Sequence, residues 1–246
     1  MAMLFLVIVV FTFAGMVKGT IGLGLPTVAM GLLTFMITPF QAASLLIVPS
    51  AVTNIWQLFA EGHIWRLLKR FWSLLLGIVV GTLWSFLPTL SDGQGQSSEM
   101  MLGILLVLYG LYGLWVKQLP NLSQYEKWLS PIVGYVGGAV ILATGVIIIP
   151  VVLYLQALYL KKNDLVQALG LVFTIATFCL AIFLHQHPVQ GASLHPYLAW
   201  IAVIPALLGM WIGQKIRHRI PEQKFRRIFF IGLLCLGTYM VLQPLF

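Results

Sequence analysis

The sequence is poor in charged residues, which make up 8% of its 246 positions, against about 25% in a soluble domain. Hydrophobic residues make up 60%, and the mean hydropathy is +0.99. Because so little charge cannot cover a water-exposed surface, this composition predicts an all-α polytopic membrane protein. The net charge of +8 comes from short segments between apolar runs, so it argues for contact with lipid headgroups and against nucleic acid as a partner.

Acidic residues and cysteines are also scarce. The six acidic residues all lie in or beside loops, whereas cation transport usually needs a membrane-embedded carboxylate. Cys179 and Cys235 lie in apolar runs without a CxxC or Cys/His spacing, so no disulfide, metal site or cofactor is predicted. His185, His187 and His195 share one loop, which we interpret as solvated rather than as a metal site.

Apolar runs of the length that crosses a bilayer, about 20 residues, occupy most of the chain. The first and the fifth run are too long for one span and too short for two. Each is therefore predicted to be a pair of short half-helices that meet at a break. The apolar regions cover residues 3–37, 42–60, 71–89, 99–117, 130–160, 165–185, 196–214 and 226–244.

The break in the first region is predicted from a cluster of four glycines and one proline. These residues are Gly15, Gly19, Gly22, Gly24 and Pro26. In a helix interior Gly costs about 1 kcal/mol and Pro about 3 kcal/mol, so this cluster ends a helix and frees backbone polar groups. Inside a membrane, such groups are tolerated only where they are buried in protein or line a watery cavity. The break in the fifth region is predicted around Gly137, Gly138, Thr144 and Gly145.

Short matches in a fixed order relate the two halves of the chain. GMVKG at residues 15–19 matches GYVGG at 134–138, and LGIVVG at 76–81 matches LGMWIG at 208–213. The shared order predicts a tandem duplication, in which the second match provides a small-xxx-small helix contact in both copies. The predicted halves are residues 1–120 and 121–246.

Lys and Arg are absent from alternate inter-region segments, and 13 of the 14 lie in the four segments after regions two, four, five and seven. The positive-inside rule places all four on the cytoplasmic side only if region five enters and leaves on one side. If region one does the same, each half has a re-entrant first element and three transmembrane helices. The repeats are then inverted, and both termini face outward. In the alternative, where each broken helix crosses once, Lys161 and Lys162 lie opposite the mid-chain linker.

Polar residues share one face of regions two and six. The polar side chains between residues 50 and 57 are spaced by three and four positions, and an offset of 124 pairs two of them with threonines of region six. Two interpretations stay open: the side chains bind a substrate, or they bond to carbonyls and join helices. The predicted substrate-binding residues here are Ser50, Thr53, Asn54, Gln57, Thr174 and Thr177.

Lys18 is the one basic residue inside an apolar region. Since half-helix N-termini carry about half a positive charge, a break beside Lys18 predicts an anion site. Lys18 either contacts the substrate or extends to the inner surface, and the glycines either surround a ligand or only permit close helix packing. The predicted residues of the two breaks are Lys18, Gly19, Thr20, Gly22, Gly24, Thr144 and Gly145.

Three motifs occur in order along the chain: GTIGLGLP at residues 19–26, a degenerate copy of this element from Gly134, and GMWIGQKI at 209–216 followed by KFRR at 224–227. In these motifs the chain resembles the sulfite exporter TauE/SafE family of bacterial membrane transporters, over essentially its whole length. The resemblance implies an inner-membrane protein that moves a sulfur-containing anion such as sulfite, a sulfonate or thiosulfate.

The sequence therefore predicts a secondary transporter or permease for a small anion, embedded in the bilayer and without a cofactor. The alternatives are a membrane-embedded enzyme and a scaffold that transports nothing. Since paired buried carboxylates, intramembrane metal ligands and a Ser/His/Asp set are all lacking in the sequence, we predict that the protein is not an enzyme. Its oligomeric state is left open.

Overall fold

The fold is helical throughout the part of the chain that the computed structural model describes, with no strand there. The described residues are 2–59, 62–92, 95–116, 119–147, 149–189, 196–217 and 222–243. The helices are α1 (Ala2–Ile21), α2 (Leu25–Leu33), α3 (Pro39–Phe59), α4 (Ile64–Leu83), α5 (Gly95–Trp115), α6 (Glu126–Thr144), α7 (Val151–Ala157), α8 (Lys162–Gln186), α9 (Tyr197–Ile201), α10 (Val203–Arg217) and α11 (Glu222–Leu242), with a 3₁₀ turn at Ser123–Tyr125 before α6.

Six helical segments within the described residues are long and apolar enough to cross a membrane. They are α1, α3, α5, α6, α8 and the joined α9 and α10. The predicted all-α polytopic class is confirmed at this level. The remaining long helices, α4 and α11, carry basic residues in their first turns, which lowers their mean hydropathy.

Helix α4 begins seven residues before the predicted start of region three at residue 71, and α6 and α11 begin four residues early. The basic side chains that were expected in the loop lie on the first two turns of α4, where Arg66 and Arg70 are largely exposed while Leu67 and Phe71 are buried. Hydropathy locates only the apolar part of such a helix, so the prediction was wrong about where it starts.

The first element is broken where the sequence predicts. Gly22 and Gly24 have φ angles of 88° and 104°, in the left-handed region that glycine adopts without steric cost. In the second copy the chain leaves α6 at Gly145, with a φ of 73°. Gly137 and Gly138 lie inside α6, so this part of the predicted break was wrong.

The helices before the breaks are not short. Helices α1 and α6 have 20 and 19 residues, enough to cross a bilayer, and only α2 and α7, with 9 and 7 residues, are half-helices. Each broken element is therefore a full-length helix followed by a short one, a correction to the predicted pair of half-helices. The glycines within α1 and α6 serve helix packing instead.

The matched glycine motifs form two equivalent helix contacts. A side chain on Gly15 or Gly19 of α1 would collide with backbone carbonyls of α10, and one on Gly213 would collide with Met16 of α1. In the same way, Gly134 and Gly138 of α6 face backbone carbonyls of α4. In both contacts the two helices run parallel, and small residues let the backbones touch.

The remaining pairs join corresponding elements of the two halves. Helix α3 packs on α8 with opposite direction, since Gln57 near the end of α3 meets Val166 near the start of α8. Helix α5 packs on α11 with opposite direction, since Gly103 faces Gly237 and Gly110 faces Phe230. Exchanging the halves therefore maps the pairs α1 with α10, α4 with α6, α3 with α8 and α5 with α11 onto one another.

The described basic segments gather at one end of the helical bundle. Asp164 at the start of α8 bonds to His63 and Arg66, and Glu126 at the start of α6 forms a two-bond ion pair with Arg70. At the opposite end, the segment after α4 bonds to the ends of α6 and α8, and residues 84–92 and 187–189 there contain no Lys or Arg. We call these the basic end and the neutral end.

Candidate functional site

A small cavity lies where the two breaks meet α3 and α8. It encloses about 30 Å³, room for about two water molecules, and most of its wall is apolar. Both halves of the chain contribute to it. The lining residues are Leu23, Gly24, Pro26 and Thr27 of the first break, Leu46, Ile47, Ser50 and Asn54 of α3, Ile141, Gly145, Val146, Ile147 and Val152 of the second break, and Phe173, Thr177 and Leu180 of α8.

A chain of buried polar side chains crosses the interface between the halves at this cavity. The ammonium of Lys18 donates to Thr53 Oγ1 at 3.0 Å and to Asn54 Oδ1. The amide Nδ2 of Asn54 donates to Thr177 Oγ1 at 3.2 Å, and the Thr177 hydroxyl donates to the Phe173 carbonyl at 2.7 Å. Asn54 and Thr177 line the cavity, and Lys18 lies behind Asn54.

Lys18 is 2% exposed and reaches no carboxylate among the described residues. The ion pairs of that part of the chain involve His63, Arg66 and Arg70 at the basic end. Its two acceptors, Thr53 and Asn54, are uncharged, so a positive charge on Lys18 would be hydrogen-bonded but would have no counter-charge. Burying a charge without a counter-charge is costly, and an anion in the adjacent cavity would reduce that cost.

Several predicted site residues meet at the cavity. Gly24, Ser50, Asn54, Gly145 and Thr177 line it. Lys18 and Thr53 form the layer behind them, where the Thr53 hydroxyl also donates to the Pro49 carbonyl at 2.8 Å. The predicted pairing of Thr53 with Thr177 thus corresponds to two hydroxyls on either side of Asn54.

Gln57 and Gly22 lie one turn closer to the basic end. Gln57 Nε2 donates to the Gly22 carbonyl at 3.0 Å and to the Val166 carbonyl at 2.9 Å. This side chain therefore ties the first break to the start of α8. Gln167 makes a similar link, donating to the Leu58 carbonyl at 2.8 Å.

The other predicted residues do not line the cavity. Gly19 and Thr20 face α10, where the Thr20 hydroxyl is 3.2 Å from the Gly213 carbonyl. The Thr144 hydroxyl bonds to the carbonyls of Val140 and Val146 and so stabilises the end of α6. The Thr174 hydroxyl donates to the Gly170 carbonyl of its own helix at 2.6 Å.

Sequence reasoning missed Pro26 and Thr27, which form the first turn of α2 at the cavity. A proline in the first turn of a helix is a start signal, so GLPT at residues 24–27 could have located this helix N-terminus. The apolar lining residues, such as Phe173 and Ile147, have no distinguishing sequence pattern within long apolar runs.

A family model described as "Sulfite exporter TauE/SafE" matches residues 7–240, nearly the whole chain. This match confirms the resemblance that the motifs indicate. Neither the curated proteins nor the solved structures contain a match to this chain.

Proposed function

Because the chain belongs to the sulfite exporter TauE/SafE family, a family of membrane transporters rather than enzymes, we propose that it is a permease that moves a small anion through the cavity between its two breaks. The substrate is a sulfur-containing anion of the sulfite, sulfonate or thiosulfate type. The observation that carries this proposal is the buried ammonium of Lys18, which lacks a carboxylate partner among the described residues and lies directly behind the cavity wall.

The charge at Lys18 makes an anion the favourable occupant. An ammonium held inside a membrane protein is stabilised by a nearby negative charge far more than by neutral oxygens, because the low dielectric strengthens the attraction. The side-chain oxygen of Asn54 accepts a hydrogen bond from Lys18, and its amide nitrogen donates to Thr177 across the interface between the halves. A cation in the same cavity would be repelled by Lys18 without any described carboxylate to compensate.

The packing supports an inverted duplication with halves at residues 1–120 and 121–246. The contact of α1 with α10 corresponds to that of α6 with α4 when the halves are exchanged, and α3 runs opposite to its counterpart α8. Inverted repeats with discontinuous helices support alternating access, in which one part moves against the other around a central site.

We place the basic end in the cytoplasm of a bacterial cell, following the positive-inside rule, with the protein in the inner membrane and both termini outside. A potential of 100 mV, negative inside, then favours the export of a monovalent anion by about 2.3 kcal/mol. Export down this gradient needs no coupled ion, whereas uptake does.

Thermal unfolding of the purified protein in detergent tests the proposal with a panel of sulfite, thiosulfate, methanesulfonate, sulfate and acetate at equal ionic strength. A bound anion at 100 times its dissociation constant adds about 2.7 kcal/mol of stability. At least one sulfur oxyanion should stabilise the wild type more than it stabilises Lys18→Gln. If all five anions shifted the unfolding temperature equally, the result would contradict the proposal.

A further inference from the structure

The hydroxyl of Ser50 is a buried polar group without a partner. Ser50 is 3% exposed, and its Oγ has no hydrogen bond among the described residues. Gln57 Oε1 is the other buried side-chain oxygen of that part of the chain in the same condition, but Gln57 does not line the cavity. An unsatisfied buried hydroxyl costs free energy, and a ligand that accepts a hydrogen bond from Ser50 would remove that cost.

The N-terminus of α2 opens onto the same cavity. Gly24 precedes the helix in a left-handed conformation, and no side chain caps the first turn. Val28 is the first residue of α2 whose backbone N–H is hydrogen-bonded in the described structure. It donates to the Gly24 carbonyl at 2.9 Å. The N–H groups of Leu25 and Thr27 bond to no backbone carbonyl within the described part of the chain, and they carry the partial positive charge of the helix end.

The second half does not offer the same side-chain donors. The counterpart of Ser50 is Thr174, whose hydroxyl donates to the Gly170 carbonyl at 2.6 Å. The counterpart of Lys18 is Gly137, where a side chain would meet Ile147 and Val151. The unpaired side-chain hydroxyl and the buried lysine therefore lie on the side of the cavity formed by the first half.

We propose that Ser50 and the N-terminus of α2 form the oxyanion subsite of the transporter. One oxygen of the anion accepts a hydrogen bond from the Ser50 hydroxyl, and another accepts from the N–H groups of Leu25 and Thr27. Lys18 acts from behind Asn54 as the charge that balances the anion. The substrate thus binds off the centre of the repeat, against the first half. This subsite rests on the proposed anion transport and specifies where the anion is held.

Isothermal titration of the purified full-length protein with sulfite tests the subsite in wild type, Ser50→Ala and Ser50→Cys. A hydrogen bond to a charged group is worth about 1.5–3 kcal/mol, so Ser50→Ala should weaken sulfite binding about tenfold or more. Ser50→Cys keeps the size of the side chain with a weaker donor, so its loss should be intermediate. Without sulfite, Ser50→Ala should unfold at the wild-type temperature or above it, because the hydroxyl it removes is unpaired.

Ser44→Ala is the matched control. Ser44 lies on the same helix, but its hydroxyl donates to the Phe40 carbonyl at 2.8 Å and does not reach this cavity. Its sulfite affinity should equal that of the wild type. Wild-type affinity in Ser50→Ala and Ser50→Cys would overturn the subsite and leave anion transport standing. Failure of the wild type to bind any anion of the panel would overturn both.

Discussion

The amide nitrogen of Asn54 lies 3.2 Å from the hydroxyl oxygen of Thr177, and this hydrogen bond joins α3 of the first half to α8 of the second half. The oxygen of the same amide accepts from Lys18 in α1. Asn54 therefore connects the buried charge to the interface between the halves. If one half moves against the other, the hydrogen bond between Asn54 and Thr177 must either break or move with both side chains.

Thr177→Val should impair the site more than the removal of a threonine hydroxyl that bonds only within its own helix. The substitution keeps the volume but leaves the buried Asn54 amide without its acceptor, which costs about 1–3 kcal/mol of stability. Thr12→Val is the control, since the Thr12 hydroxyl donates only to the Ile8 carbonyl of α1. Unfolding and sulfite binding measured in both variants check this, and equal losses in the two would contradict it.

Lys18→Gln should separate the charge of Lys18 from its hydrogen bonds. The Gln amide can still donate to an oxygen of Thr53 or Asn54, so the fold should be retained, and the stability without anion should equal or exceed that of the wild type. Anion affinity should fall about tenfold or more, because a charge-assisted interaction is lost. Lys18→Arg should keep part of it. Undiminished sulfite affinity in Lys18→Gln would remove Lys18 from the site.

Gly81→Ala should destabilise the contact between α4 and α6. Its methyl group would collide with the Tyr135 carbonyl, and overpacking of this kind costs about 1–3 kcal/mol. Gly232→Ala in α11 is the control, because its methyl group would meet no described atom within 4 Å beyond the neighbouring residues of α11, and alanine favours a helix by up to about 1 kcal/mol. Denaturant unfolding in micelles measures both, and equal stability of the two variants would argue against close packing at Gly81.

The sequence predicted those features that depend on residue type and spacing. Gly22 and Gly24 predicted the first break because glycine is costly in a helix interior, and the spacing of Ser50, Thr53 and Asn54 placed them on one face. The match of Gly15 and Gly19 with Gly134 and Gly138 corresponds to two equivalent helix contacts.

Other features depend on packing that a single sequence does not reveal. Glycines in a break and glycines in a close helix contact look alike, so Gly137 and Gly138 were assigned to the wrong class. Which side of a threonine faces the cavity depends on helix rotation, so Thr174 and Thr177 were not distinguished. The unpaired state of Ser50 follows from its neighbours in space.

Cysteine labelling tests the orientation of the bundle in a variant that lacks Cys179 and Cys235. His187 lies at the neutral end and Asn163 at the basic end, and both residues are exposed. In intact cells, a cysteine at position 187 should react with an impermeant maleimide, and one at position 163 should react only after the cells are opened. Labelling of position 163 from outside would refute the proposed topology.

The most direct test of anion transport is the efflux of sulfite from proteoliposomes at a set membrane potential. With the wild type, sulfite should leave faster than from protein-free vesicles, and a potential negative inside should increase the rate, because it favours the exit of an anion. Lys18→Gln, reconstituted at equal density, should be slower by about tenfold or more. Efflux at the protein-free rate for sulfite, thiosulfate and methanesulfonate, whatever the potential, would contradict the account.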